Sequence, residues 1–266
     1  MTRPLVIDTF MVNNEYEMLE CRLETMDPAV DFFIAVEADV DHQDHPKPYH
    51  ITDNLDRFSA WSDKLIVIRA TGLPTHAFDP DPWARELAQR EFAFEGLKQI
   101  NNLRPIGESD IILHGDVDEI CRPIHVKNVR PRDSFISFEQ SLHCFAVDWL
   151  HPDAWGGTVA ATTRQVMSLG KWPFQKLRNT RNANVSLPQS GWHLSWLGGR
   201  DAALAKLGSF CHPEIAERTL VGLTSDLYLR EGFHVDGRRM TPVDVDDTWP
   251  AYIFERRCPT EWFRPR

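Results

Sequence analysis

The chain has no long apolar run. Nothing in its 266 residues reaches the roughly 18 consecutive apolar positions of a membrane-spanning helix, and Met-Thr-Arg-Pro leads into an apolar segment too short for a signal-peptide core. A cytoplasmic location is the resulting expectation. Gly-x-Gly-x-x-Gly and Walker-type phosphate loops are also missing, which argues against a dinucleotide enzyme or an ATPase. The five cysteines (Cys21, Cys121, Cys144, Cys211, Cys258) are scattered and odd in number, with no Cys-x-x-Cys pair for zinc or redox chemistry, so buried free thiols are expected. Basic residues are in deficit: 29 against 39 acidic, a formal charge of −10 that opposes attraction to nucleic acid or anionic membranes.

What is present is an ordinary globular composition, 42% apolar and 26% charged, so the whole chain is expected to fold, as one domain over residues 1–266. Residues 5–10 read as a buried strand, followed by a helix that Asn13 or Asn14 is placed to cap. Residues 30–36 and 65–68 read as further strands, with residues 38–50 as loop between them. The longest helical pattern covers 83–103, where Trp83, Leu87, Phe94, Leu97 and Ile100 recur at helical spacing. Ile111, Ile112 and Leu113 then form a short buried-strand run. Alternating strands and helices predict a mainly parallel α/β sheet with helices on both faces, whose ligands sit beyond the carboxyl ends of the strands. After Pro123 the pattern changes to strands at 134–138, 142–149 and 158–162, an antiparallel extension. Helical signals return at 201–207 and 224–230.

The chemistry concentrates just past the 111–113 run, in Asp116-Val117-Asp118-Glu119. Residues two apart in extended backbone share a side, so Asp116 and Asp118 are able to address one cation, with Glu119 adjacent. Hard oxygen ligands suit Mg²⁺ or Mn²⁺, and such an ion can bridge the oxygens of a diphosphate. An acidic turn after a strand is also a common surface feature. The chemical reading requires both carboxylates to open on a cavity that admits a nucleotide, rather than being consumed by buried arginines.

Several segments together resemble glycosyltransferase family 17, whose best-known members add the bisecting N-acetylglucosamine to N-glycans. They are Asn14-Glu15 with Glu20-x-Arg22, Val30-Asp31-x-Phe33 leading to Val36-Glu37, Pro46-Lys47-Pro48, Asp110-Ile111-Ile112 leading to Asp116-Val117-Asp118-Glu119-Ile120, and Gly191-Trp192-His193-Leu194-Ser195-Trp196. The resemblance implies a GT-A-like fold, with a nucleotide-binding half at 1–122, an acceptor half at 123–240 and a tail at 241–266. It further implies a UDP-sugar donor, UDP-N-acetylglucosamine in characterised members, Mn²⁺ or Mg²⁺ dependence, and inversion at the anomeric carbon. The animal enzymes carry a membrane anchor and stem that this sequence lacks, and Leu194 and Leu197 stand where their motif has cysteines. An N-glycan acceptor therefore does not follow, and the acceptor is left as a glycan or another hydroxyl compound.

Within that frame His193 is expected to complete the metal or diphosphate site, since neutral imidazole is a competent Mn²⁺ ligand; its plain alternative is a packed core histidine. Trp192 and Trp196 are candidates to stack on a sugar. An inverting transferase needs a carboxylate to take the acceptor proton: Asp201 is the first candidate, with helix capping as its plain alternative, followed by Asp226 and Glu139. Glu37 is placed to meet the base or ribose of the donor. Arg90, Arg178, Arg181 and Lys47 are candidate diphosphate ligands, the guanidinium fork matching phosphate oxygens. The loop Asp41-His42-Gln43-Asp44-His45 has metal-ligand residue types but no framework to fix them, and reads as solvated. Two rival functions remain: a phosphohydrolase with Asp116 as nucleophile and Asp118 as acid, and a carbohydrate-binding protein on an inactive transferase fold.

Overall fold

The computed structural model describes residues 3–209 and 216–265. The first half lays down four parallel strands: β1 (Val6–Met11), β2 (Phe32–Ala38), β3 (Leu65–Ala70) and β4 (Ile111–Asp116), in the order β3, β2, β1, β4. Between them run α1 (Tyr16–Met26), a 3₁₀ segment (Thr52–Trp61), α2 (Pro82–Glu91) and α3 (Ala93–Leu103). Strand period sorts the side chains: Val6 and Phe10 of β1 join one core with Leu19 and Leu23 of α1, and Ile7 joins another with Leu97 and Ile100 of α3. Helices thus cover both faces.

The second half continues the same sheet. After β5 (Glu119–Cys121) and α4 (Pro123–Asn128) come β6 (Ile136–Cys144), β7 (Trp149–Thr162), α5 (Thr163–Ser168), α6 (Pro173–Asn179) and β8 (Val185–Ser195). β7 runs antiparallel to both β4 and β6, β8 runs parallel to β6, and β5 closes the row antiparallel to β8. α7 (Gly199–Ser209), α8 (Ala216–Thr224), β9 (Thr241–Pro242), α9 (Ala251–Phe254) and a last 3₁₀ turn (Thr260–Trp262) follow. This is the mainly parallel α/β sheet with an antiparallel extension that the GT-A-like expectation describes. Among the described residues no helix is long and apolar enough to cross a membrane.

Several elements differ from the sequence reading. The 83–103 pattern is two helices, because the chain bends at Phe92, whose N–H turns back to the carbonyls of Gln89 and Arg90. The strand expected at 142–149 is interrupted by Phe145, whose φ of +66° ends β6 and starts the turn into β7. Residues 225–230 are not helical, and Asp226 itself has a φ of +61°. α1 starts after Glu15 without a side-chain cap from either asparagine. Four cysteines are buried free thiols, as expected, and Cys211 lies outside the described residues.

Candidate active site

A pocket of about 500 Å³ opens beyond the carboxyl ends of β1 and β4, within the usual range for small-molecule sites. The acidic turn forms part of its wall, and the sheet explains how. β4 ends at Asp116, the chain turns through Val117 and Asp118, and β5 pairs with β8 so that Glu119 stands opposite His193. That register sets His193 beside Asp118. It also requires Gly191, where any Cβ would meet the carbonyl oxygen of Ile120 at 2.2 Å.

Beneath the turn lies a lattice of buried charges. On the α1 face, Arg22 pairs with Asp8, both side chains 0% exposed, and its Nη1 donates to the carbonyls of Asp116 and Glu119 at 2.9 and 2.7 Å. On the opposite face, Arg90 donates to Asp116 Oδ1 at 3.1 Å and to Glu86 at 2.6 Å, and Arg178 pairs with both Asp116 and Glu119. His114 accepts Arg90 at one nitrogen (3.3 Å) and meets Thr9 Oγ1 at the other (2.8 Å). Burial, with Arg90 and Arg178 close by, holds the His114 pKa well below its ordinary value, so the ring is neutral. Burial acts to raise the Asp116 pKa, but Arg178 and Arg90 outweigh it and keep the carboxyl well below the usual range.

Asp118 is different. Its Oδ1 lies 3.5 Å from His193 Nε2 and its Oδ2 lies 3.5 Å from Lys206 Nζ. His193 and Lys206 outweigh the effect of burial and lower the Asp118 pKa to about 2. Neighbouring ligands of an octahedral ion with bonds of about 2.1 Å stand roughly 3 Å apart, so Asp118 and His193 fit two positions of a Mn²⁺ or Mg²⁺ shell with little movement. Such ions commonly take one or two protein ligands and complete the shell with phosphate oxygens and water.

The pocket wall gathers Asp116, Asp118, His193, Arg178, Arg181 and Lys47 from the sequence-derived candidates. Lys47 Nζ is buried there with no partner in the protein, and burial lowers its pKa. Trp155 also faces the pocket, its ring 4.6 Å from that of His193 and stacked under Arg181 at 5.1 Å.

Other candidates are corrected. Glu119 is 0% exposed and its carboxylate is consumed by Arg178, the Trp155 indole (2.7 Å) and the Asp116 N–H (3.2 Å), so it holds the turn rather than an ion. Arg90 is enclosed by Asp116, Glu86 and Gln175 and is absent from the pocket wall. Glu37 turns away to accept the N–H groups of Ile51 and Thr52 at 2.9 and 2.8 Å. Trp192 packs in the core, between Trp249 and Arg122. None of the three base candidates lines the pocket. Asp201 is exposed in the first turn of α7, Asp226 is bound to Arg200 and Arg230, and Glu139 points to Ser186 on β8. The 41–45 loop is not simply solvated: Asp41 and His42 wall the pocket, and Arg85 donates to the His42 carbonyl at 2.6 Å.

Sequence reasoning missed Glu15, Lys206 and His234, all of which line the pocket. Glu15 was visible only as part of a motif; Lys206 and His234 carry no local signal and arrive through α7 and the turn before β9. Among the described residues, the one group of three or more potential metal ligands is not the acidic turn but His151, His234 and Asp236.

No curated protein sequence matches the chain. Among solved structures, the mannosyltransferase PcManGT from Pyrobaculum calidifontis, in complex with GDP-Man and Mn²⁺, superposes with a TM-score of 0.45 at 10% identity, over 83% of this chain and 64% of that one. The inositol-1-phosphate CTP transferase from T. maritima gives 0.41 at 11% identity, over 72% and 88%. The glycosyltransferase GlyE of Streptococcus pneumoniae TIGR4 gives 0.33 at 10% identity, over 70% and 45%. This chain therefore spans under two thirds of the length of the mannosyltransferase and under half that of GlyE. The sequence profile of glycosyltransferase family 17 matches residues 1–220, most of the chain. The chain belongs to glycosyltransferase family 17.

Proposed function

We propose that the protein transfers a sugar from a nucleotide diphosphate donor to an acceptor hydroxyl with inversion, in the pocket at the acidic turn. The observation that carries this reading is the pairing of Asp118 with His193 on a pocket wall that also holds Arg178, Arg181 and an unpartnered Lys47. The donor is UDP-N-acetylglucosamine by family resemblance. Asp118 and His193 hold Mn²⁺ or Mg²⁺, which supplies charge neutralisation for the diphosphate and the departing nucleotide. Asp116, expected as a metal ligand, has one oxygen on Arg90 and the other on Arg178, so the requirement that both carboxylates be free of buried arginines is met by Asp118 alone; Asp116 stays outside the shell and orients Arg178. Lys47 and Arg181 bind donor oxygens, because Lys47 Nζ is buried with no hydrogen-bond partner and the Arg181 guanidinium lies over Trp155 at the pocket, where an anion gives each a hydrogen bond. Trp155 offers an aromatic face to the sugar.

The base moves from Asp201 to Glu15. Asp41 is occupied by the N–H groups of Gln43 and His45 and by the His45 ring, and Glu86 is held by Arg90. Glu15 accepts only the Asn13 N–H, at 2.8 Å, through one oxygen. If it takes the acceptor proton, Glu15→Gln lowers kcat by about 10²-fold or more with little change in donor KM; a raised KM with unchanged kcat assigns Glu15 to donor binding instead.

The reading as a whole is tested by incubating the protein with Mn²⁺ and a panel of sugar nucleotides, and by calorimetric titration with UDP. Donor hydrolysis or transfer is expected, with UDP binding that requires the metal. Silence with every donor, together with no UDP binding, overturns it. The phosphohydrolase reading has a specific observation against it: both oxygens of Asp116, its nucleophile, are held by arginines.

A further inference from the structure

Apart from the acidic turn, the fold brings two distant segments together at the pocket rim. His151 lies in β7 and is 3% exposed, while His234 and Asp236 belong to the turn closed by the bridge between Phe233 and Arg239. Each offers a ligand atom within 4.8 Å of the others. His151 Nε2 stands 3.2 Å from Asp236 Oδ2, and His234 Nδ1 stands 3.0 Å from Asp236 Oδ1. Ligands around a tetrahedral ion with bonds of about 2.0–2.1 Å are roughly 3.3 Å apart, so these separations already approach a coordination shell.

The protons set what a metal must displace. His234 Nδ1 lies 3.4 Å from the Asp236 N–H and 3.0 Å from Asp236 Oδ1. Its one ring position serves the N–H, a proton shared with Oδ1, or a metal ion, one at a time, so an ion bound there takes the place of the other two. His151 Nδ1 lies 3.3 Å from the Asp153 carbonyl and is able to donate to it, the outer contact that turns the Nε2 lone pair toward a metal. The same nitrogen also meets the Asp153 N–H at 3.1 Å, so a metal-free tautomer exists in which Nε2–H is donated to Asp236. Arg238 donates to Asp236 Oδ2 at 2.8 Å through Nε and at 2.6 Å through Nη2, gives its backbone N–H to Oδ1 at 2.9 Å and pairs with Asp153, so an ion shares the Asp236 carboxylate with this guanidinium, the two histidines supplying the contacts that Glu119 lacks.

We propose that His151, His234 and Asp236 form a second divalent-metal site, separate from the acidic turn and suited to Zn²⁺ rather than Mg²⁺. Two imidazoles among three ligands give that preference. The ion ties the turn that bears His234 to β7, and because His234 lines the pocket, it fixes part of the pocket wall. The proposal does not depend on which donor, or any donor, binds at Asp118.

The test uses the full chain, stripped with a chelator and titrated with Zn²⁺ by calorimetry and with Co²⁺ by visible absorption. Tight binding of Zn²⁺ is expected, at least about tenfold stronger than that of Mg²⁺, with Co²⁺ absorption typical of a low-coordinate nitrogen and oxygen site. His234→Ala and Asp236→Asn, on the partly exposed turn, should each weaken Zn²⁺ by about tenfold or more and remove the Co²⁺ band while retaining the far-ultraviolet dichroism of the parent. Asp118→Asn should keep the band. Absence of Zn²⁺ binding by the unaltered chain, or binding indifferent to both turn variants, overturns the proposal and leaves a proton-bridged network.

Discussion

Two walls of the same pocket are built on opposite principles. Under the acidic turn every strong charge has a partner: Asp8 with Arg22, Asp116 with Arg90 and Arg178, Glu119 with Arg178 and Trp155. Elsewhere on the wall, polar atoms lack partners within the protein. Asn13 Oδ1, Lys47 Nζ and His193 Nδ1 are buried without one, and Glu15 has a single hydrogen bond. Unmet buried polarity is costly unless something fills it, whereas a satisfied lattice is rigid and, of the charges just paired, brings only Asp116 and Arg178 to the pocket. On the proposed function, the lattice positions the site and the open wall meets the ligand.

The strongest way to break that division is to cut the lattice at its base. Arg22→Met leaves Asp8 buried without a counter-charge and removes the donor from the Asp116 and Glu119 carbonyls, so a loss of about 3–5 kcal/mol is expected in urea unfolding. Asp8→Leu together with Arg22→Met should recover much of it. Asp118→Asn touches the open side instead: transfer activity should fall about 10²-fold, with a loss of stability smaller than that of Arg22→Met, since only the attraction of His193 and Lys206 for the carboxylate is given up. Equal stability losses in Arg22→Met and Asp118→Asn would erase the distinction between the walls.

The sequence made part of this legible, for reasons that are physical. Ile111, Ile112 and Leu113 announce a buried strand, and the two-residue period sets Asp116 and Asp118 beyond its end. His193 was reached through its motif, yet the register that brings it to Asp118 depends on β8, which Pro188 and its polar residues disguise as loop. Helix α3 continues the apolar pattern of α2, so the bend at Phe92 left no mark in periodicity. Asp201 reads alike as a cap and as a base, and only three-dimensional placement separates the two. Glu37 and Glu119 illustrate a general difficulty: a carboxylate near a site is as readily taken by backbone N–H groups and arginines as by ligand. His151 and His234 meet through long-range packing that no local spacing encodes.

Acid offers a finer separation. Asp118 titrates near pH 2 in the fold and near 3.8 when unfolded, so its contribution is complete above about pH 4 and is lost as pH falls through 2. His143 on β6 behaves otherwise: burial lowers its pKa from 6.5 to about 4, so the native state holds it neutral while the unfolded chain takes up a proton. That contribution is complete above pH 6.5 and is lost as pH falls toward 4. At pH 5 the cost is about 2 kcal/mol, and His143→Gln should remove that share of the difference between urea titrations at pH 7 and pH 5. An unchanged difference would mean that His143 is reached by water and protonates freely in the fold.

The smallest effect sharpens the comparison most, because it sets affinity against stability at one atom. Lys47 Nζ has no partner in the protein, and burial lowers its pKa. Lys47→Met should weaken metal-dependent UDP binding about tenfold, or about 1.4 kcal/mol, by calorimetry. The same substitution removes a buried ammonium that has no hydrogen bond and only the longer-range attraction of Glu37, Glu15, Asp41 and Asp39, so thermal stability should change little. A lattice residue would show the reverse order, with stability falling first and affinity following it. If Lys47→Met lowers the melting temperature and leaves UDP affinity untouched, Lys47 belongs to the positioning wall, and the donor must approach from the side of Arg181 and Trp155.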